Sequence, residues 1–186
     1  MNRFAFASAA DPVPAGYSTG PEMPADIAAR DRLLDRAMGA AWRRKASEKL
    51  RRGRLPSLAL VARDGAGRVF GTVRLWHVDA GGKPALLLGP LAVDPSFQGG
   101  GVGSALMRAA IVAAREGGHG AVLLMGDPEY YGRFGFSADR TGGLAMPGPF
   151  EKRRFLGLEL RQGGLDCVVG VLRPTGVKVD ASRRAA

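Results

Sequence analysis

The spacing of apolar residues changes along this chain, and each change predicts an element. Ile27, Leu33, Leu34 and Ala37 recur at helical spacing, so a helix is expected over about residues 24–38. Pro24-Ala25-Asp26 suits its first turn, with Pro early and an acid near the positive end of the dipole. Trp42, Ala46 and Leu50 predict a second helix over 41–52, closed by Gly53. Tyr17 to Glu22 reads as a short strand. After Leu55-Pro56 the helical period ends. Residues 57–62 and 69–76 are strand-like and are separated by Asp64-Gly65-Ala66-Gly67, which is turn chemistry. Residues 85–93 are almost continuously apolar, as in a strand covered on both faces. Gly89-Pro90 interrupts that run, and because Pro lacks the ladder N–H a bulge or splay is expected there. Val102, Ala105, Leu106, Ala109, Ala110 and Ala113 form the next helical stripe, stopped at Glu116-Gly117-Gly118. A buried strand over 121–125, a short helix opening at Asp127-Pro128, and closing strands over 155–160 and 167–172 complete the pattern. The expected organisation is an Ala- and Pro-rich arm over 1–16, one α/β domain over 17–174, and a loose polar tail over 175–186.

Composition narrows the class. A chain of 186 residues that is 46% hydrophobic suits one globular domain with one sizeable core. No apolar run approaches the roughly 20 residues that span a bilayer, so no membrane partner is expected. The first ten residues imitate a signal peptide only faintly, because their apolar part is short and mostly Ala. Cys167 is the one cysteine; it has no partner for a disulfide and reads as a small buried hydrophobe in a run of valines. No metal cluster is expected, and the compartment inferred is the cytoplasm. The formal charge is +10, and most of the excess lies between Arg30 and Arg54, where ten Lys or Arg face Asp31, Asp35 and Glu48. Such a segment raises the local concentration of anionic partners, but a solvated helical face explains it equally simply.

Chemistry concentrates between Leu86 and Phe136. Gln98-Gly99-Gly100-Gly101-Val102-Gly103-Ser104 sets glycines between a buried strand and a helix of small residues. Glycine lets backbone N–H groups approach a ligand and adopt positive φ, and the helix start adds unpaired donors and a positive dipole end. A diphosphate suits such a cradle. No Lys follows the glycines as a P-loop requires, and the dinucleotide fingerprint fails at Ser104 and Leu106, so both of those nucleotide classes are excluded.

The spacing Gln98-x-x-Gly101-x-Gly103, preceded by Leu91-Ala92-Val93-Asp94-Pro95 and followed by Tyr130-Tyr131-Gly132-Arg133-Phe134-Gly135-Phe136, resembles the GNAT superfamily of N-acetyltransferases. The resemblance is firm over residues 58–136. It implies a mixed, mostly antiparallel central sheet, splayed at its middle and flanked by helices. It implies acetyl-CoA as co-substrate, no metal, and a small-molecule or peptide primary amine that attacks the thioester directly. The backbone of Leu91, Ala92 and Val93 then pairs with the pantetheine arm, and Gln98, Gly99, Gly100, Gly101, Val102, Gly103 and Ser104 hold the diphosphate. Tyr131, four residues before Gly135, takes the family position of the acid that protonates the departing thiolate, while Tyr130 reads as packing. Dimers are common in such folds, so a homodimer is one expectation. Where many members carry an Asn, this chain has Gly126-Asp127-Pro128-Glu129, which reads as helix-start chemistry.

Two other readings stand beside this one. A GNAT-fold module that binds CoA without turnover has the same motifs, and a nucleic-acid-binding protein would use the basic segment but lacks any recognised motif. The carboxylates available as a general base are Glu22, Asp94 and Glu129, with a water chain as a further alternative. His77 and His119 are single in sequence and read as structural or solvated. Trp42, Trp76, Arg74 and Phe150 are candidates for the acceptor pocket, and Arg43, Arg44, Arg51 and Arg52 for contacts to a phosphate or acidic substrate.

Overall fold

The computed structural model describes residues 16–179. The strands are β1 (Ser18–Pro21), β2 (Leu58–Arg63), β3 (Val69–Ala80), β4 (Lys83–Val93), β5 (Ala121–Met125), β6 (Leu144–Ala145), β7 (Phe155–Glu159), β8 (Gly170–Val171) and β9 (Arg173–Pro174). The α-helices are α1 (Ile27–Met38), α2 (Val102–Glu116) and the short α3 (Pro128–Tyr131). A seven-stranded sheet runs β1-β2-β3-β4-β5-β7, with β9 also paired to β3; β6 and β8 form a separate small ladder. Its pairings are antiparallel except β4 with β5. This is the mixed, mostly antiparallel sheet expected above.

Strand alternation sorts side chains to the two faces. On β2, Leu60 and Ala62 join Val102, Leu106, Met107 and Ala110 of α2, whereas Val61 meets Leu33 of α1 on the opposite face. β3 and β4 therefore lie between helices, which is why 85–93 reads as a continuous apolar run. A fully buried Leu such as Leu106 contributes about 1.5–3 kcal/mol through removal from water. Gly71 on β3 sets the height of α2: a Cβ there would lie 3.0 Å from Leu106 Cδ1 and 3.2 Å from Val102 Cγ1. Gly71→Ala is expected to cost about 1–3 kcal/mol through overpacking, measured by denaturant unfolding.

The structure corrects three expectations. Residues 41–52 form two 3-10 turns, Ala40–Arg44 and Ala46–Leu50, parted by an extended Lys45, not one helix. Tertiary anchors outweigh helix propensity here. Trp42 Nε1 donates to Asp35 Oδ1 at 3.0 Å and Arg43 Nη2 to Asp35 Oδ2 at 3.1 Å, fixing the first turn to α1, while Leu50 and Arg51 are buried against the sheet. The strand expected over 167–172 shrinks to β8, because Cys167 has a left-handed φ of 57° and is exposed, not buried. The Val169 backbone packs on Gly81 in the β3–β4 turn, where a Cβ would come within 2.6 Å of the Val169 nitrogen. The tail expected to be loose from 175 is held as far as Val179. Thr175 N donates to His77 O at 3.1 Å, Leu55 N donates to Val177 O at 2.8 Å, and Val179 N donates to Gly53 O at 2.9 Å. Residues 180–186, and the arm apart from Gly16, lie outside the described residues.

Among the described residues no helix is long and apolar enough to cross a membrane. No three His, Cys, Asp or Glu side chains among them gather into a metal-binding group.

Candidate active site

The site begins where β4 leaves β5. Their parallel pairing holds at Leu86–Val122 and Leu87–Leu123 and then stops, although β4 continues to Val93. On the other side of β4, Val73 pairs with Leu91 and Leu75 with Leu88, so Gly89 and Pro90 together oppose Arg74. Two residues against one make a bulge, as the Gly89-Pro90 interruption suggested. Trp76 Nε1 donates to Gly89 O at 2.7 Å and fixes it. Beyond the bulge, Asp94 N donates to Phe70 O of the strand β3 at 2.8 Å. Alternation then turns the polar groups of Ala92 toward β3 and those of Leu91 and Val93 toward the open edge. Gln98 Nε2 donates to Val93 O at 3.3 Å on that edge.

At the end of β4 the chain turns through Pro95–Phe97 into the glycine loop. Asp94 caps this turn by accepting from Ser96 N at 3.2 Å. Gly99 and Gly101 have φ of 88° and 81°, and Gly101 is the N-cap of α2. The first backbone bond into the helix runs from Ala105 N to Gly101 O at 2.9 Å; among the described residues, no main-chain N–H from Gly99 to Ser104 donates to a backbone carbonyl outside the helix. The first turn of an α-helix has no intrahelical acceptors for these donors, so they converge where the helix dipole is positive. Val102 contributes only its backbone, since its side chain is buried in the core. The Tyr130 hydroxyl reaches the same place: a Cβ on Gly103 would lie 3.0 Å from its oxygen. Tyr130 therefore faces the loop, where sequence reasoning assigned it packing alone.

Tyr131 stands on the opposite side of the splay. Asp127 caps α3 by accepting from Glu129 N at 3.3 Å, the helix-start role expected of it. The ring of Tyr131 lies against the backbone of Gly126, in contact with the position a Cβ would take through its Cε2 edge. It packs edge-on to Tyr130 and Phe136, with centroids at 4.8 and 6.2 Å. Burial pushes the Tyr131 phenol well above the ordinary tyrosine pKa, so it is protonated at neutral pH. Gly126 is thus a site residue that sequence reasoning missed; its only local sign was a glycine where the resemblance implies a larger residue.

In front of the splay opens a cavity of about 820 Å³, bounded by Leu88–Leu91, Leu124, Met125 and Tyr131 on the sheet side. Its other wall is the 42–51 segment with Phe150 and Arg154. Trp42 and Phe150 line this cavity. Trp76 and Arg74 instead line a second space of about 180 Å³, shared with Arg51 and Glu48. Arg51 lies between the two: its Nη1 donates to Glu48 Oε1 at 2.8 Å and its Nη2 sits 3.5 Å from Leu88 O. A Cβ on Gly89 would approach Arg51 Nη2 to 2.7 Å, so the bulge glycine makes room for this guanidinium. Arg43, by contrast, is tied to Asp35.

None of the three carboxylates considered as a base lines this cavity. Glu22 is buried between Arg74 and Arg30, Asp94 binds Arg36 Nη2 at 2.9 Å, and Glu129 is exposed, 3.8 Å from Arg153. Glu48 and Glu151 are the carboxylates that do. Nothing in the local sequence separates Glu48 from a solvated helical face. His77 and His119, far apart in the chain, meet with ring centroids 5.3 Å apart, away from the cavity lining.

Comparison with known proteins agrees with this geometry. The acetyltransferase (GNAT) domain model matches residues 56–138. The N-acetyltransferase YhbS of Escherichia coli K12 is 33% identical over 153 residues, which span 81% of this chain and 92% of that protein. The crystal structure of the E. coli GNAT family N-acetyltransferase YhbS in complex with CoA superposes with a TM-score of 0.76 at 30% identity, covering 90% of this chain and 94% of that one. A GNAT family acetyltransferase from Brucella melitensis in complex with acetyl-CoA gives a TM-score of 0.66 at 28% identity, over 86% and 96% of the two chains. The splayed sheet, the glycine loop and the similarity across nearly the whole length lead to one conclusion: the chain belongs to the GNAT family of acetyltransferases.

Proposed function

We propose that this acetyltransferase moves the acetyl group of acetyl-CoA to a primary amine by direct attack on the thioester. The observation that carries this reading is the continuity of three features. Free N–H donors over 99–104 follow the open strand edge at Leu91 and Val93, and Leu91 and Tyr131 both line the cavity of about 820 Å³. The protein groups fit the co-substrate. The loop donors match a diphosphate, and the edge of β4 accepts an extended amide chain as an added strand. A main-chain N–H at Leu91 or Val93 polarises the thioester carbonyl.

In the proposed reaction the amine nitrogen forms a bond to the acetyl carbon as the carbon–sulfur bond breaks. Tyr131 gives its hydroxyl proton to the departing sulfur. The proton lost by the amine passes to solvent in the cavity and returns to Tyr131 in exchange. Supporting relatives are the CoA and acetyl-CoA complexes named above.

Gly101→Val tests the cradle, because nothing blocks the new side chain but a β-branched residue does not settle at the left-handed φ of 81°, so the loop backbone must shift. Calorimetric titration is expected to show CoA affinity reduced at least about tenfold, the equivalent of one lost charge-assisted contact. Unchanged affinity in a folded variant removes the loop from the binding site.

A further inference from the structure

The cavity carries more positive charge than its own carboxylates balance. Arg44, Lys45, Lys49, Arg51 and Arg154 line it against Glu48 and Glu151. Glu48 is engaged by Arg51, and Glu151 lies 3.9 Å from Arg153, which is not part of the lining. Among the described residues, Lys45 and Arg154 have no carboxylate within ion-pair distance. Arg51 is 8% exposed, yet its Nε has no acceptor. That nitrogen is enclosed by protein, and Nη1 and Nη2 are engaged by Glu48 and Leu88 O, so Arg51 acts on the cavity through its charge. Lys45 is exposed and lines the cavity. Desolvation, then Arg51 and Arg154, hold its pKa below the ordinary lysine value. Lys45, Arg51 and Arg154 therefore line one space large enough for a small molecule.

We propose that the acceptor amine also carries a carboxylate or phosphate, and that Lys45 and Arg154 bind this anion beside the splay, within the field of Arg51. The inference rests on the acetyl-transfer reading above and names its substrate class. The planar guanidinium of Arg154, unpaired with any carboxylate among the described residues, suits either anion, and the lysine adds a point charge. A polyamine meets like charge at the same wall and is excluded. The diphosphate of the co-substrate is the other possible source of such an anion, but its donors lie beyond Val93, at the far end of the open strand edge.

The test uses matched amines assayed with acetyl-CoA: an amino acid against its carboxamide, an amino sugar phosphate against the free amino sugar, and spermidine. The anionic member of at least one pair is expected to exceed its neutral partner at least tenfold in kcat/KM, with spermidine poorest. In the double variant Lys45→Gln, Arg154→Gln that ratio is expected to collapse toward one, while calorimetric affinity for CoA stays as in wild type. Preference for neutral or polycationic amines, or no turnover of any anionic amine by a protein that binds acetyl-CoA, overturns the substrate class. A parallel loss of CoA affinity in the double variant assigns the cations to the co-substrate and also overturns it. Failure of the wild-type protein to bind acetyl-CoA overturns the transfer reading itself.

Discussion

Tyr131→Phe is expected to lower kcat for acetyl transfer by about a hundredfold or more, the usual scale for losing a positioned acid, with CoA affinity largely kept. The substitution removes one oxygen and leaves the ring against Gly126, Tyr130 and Phe136. Burial holds the phenol protonated, so it has a proton to give. The activity of the wild-type enzyme should therefore show no loss attributable to Tyr131 ionisation between pH 6 and pH 9, values on the acid side of the ordinary tyrosine pKa of about 10. A companion variant separates position from proton. Gly126→Ala keeps the hydroxyl but drives its new methyl into the ring, which must move, so turnover should fall although the acid is present. Steady-state CoA release and calorimetry together decide both results. Full activity in Tyr131→Phe removes the residue from the mechanism.

Glu22→Gln is expected to destabilise the fold by about 3–5 kcal/mol, because removing one partner of a buried ion pair leaves charge uncompensated. The Glu22 side chain is 5% exposed and accepts from Arg74 Nε at 3.0 Å, with Arg30 Nε at 3.8 Å. Both guanidiniums are buried, and Arg30 already lacks a hydrogen-bond acceptor at Nε. For a chain of this size the melting temperature should fall on the order of 10 °C, read by thermal unfolding. A variant that melts like wild type while losing turnover would instead return Glu22 to the list of bases.

Much of the fold is legible in the sequence because its signals are local. A helical stripe at 102–113, continuous apolar runs at 85–93 and 121–125, and turn chemistry at 64–67 each reflect a period that neighbours impose on themselves. The glycine loop is legible for the same reason: consecutive small residues at a helix start constrain their own backbone. The 41–52 segment was misread because its shape comes from Asp35 and from the wall of β4, neither of which lies in that window. Cys167 reads as a strand residue because Val168 and Val169 follow it, whereas its left-handed φ of 57° turns the chain there.

The active site divides along the same line. Sequence alone determined the family resemblance and placed the glycines over 99–103 at a helix start and Tyr131 just after Asp127-Pro128, since each depends on residues a few positions apart. Tertiary structure decided what faces the reacting centre. It took Glu22 and Asp94 into ion pairs, buried Arg51 behind the Gly89 bulge, and gathered Lys45 and Arg154 around one cavity. The physical reason is that charge acts through space: a guanidinium's role depends on the dielectric and partners around it, and residues 45, 51 and 154 become neighbours only when the sheet is folded.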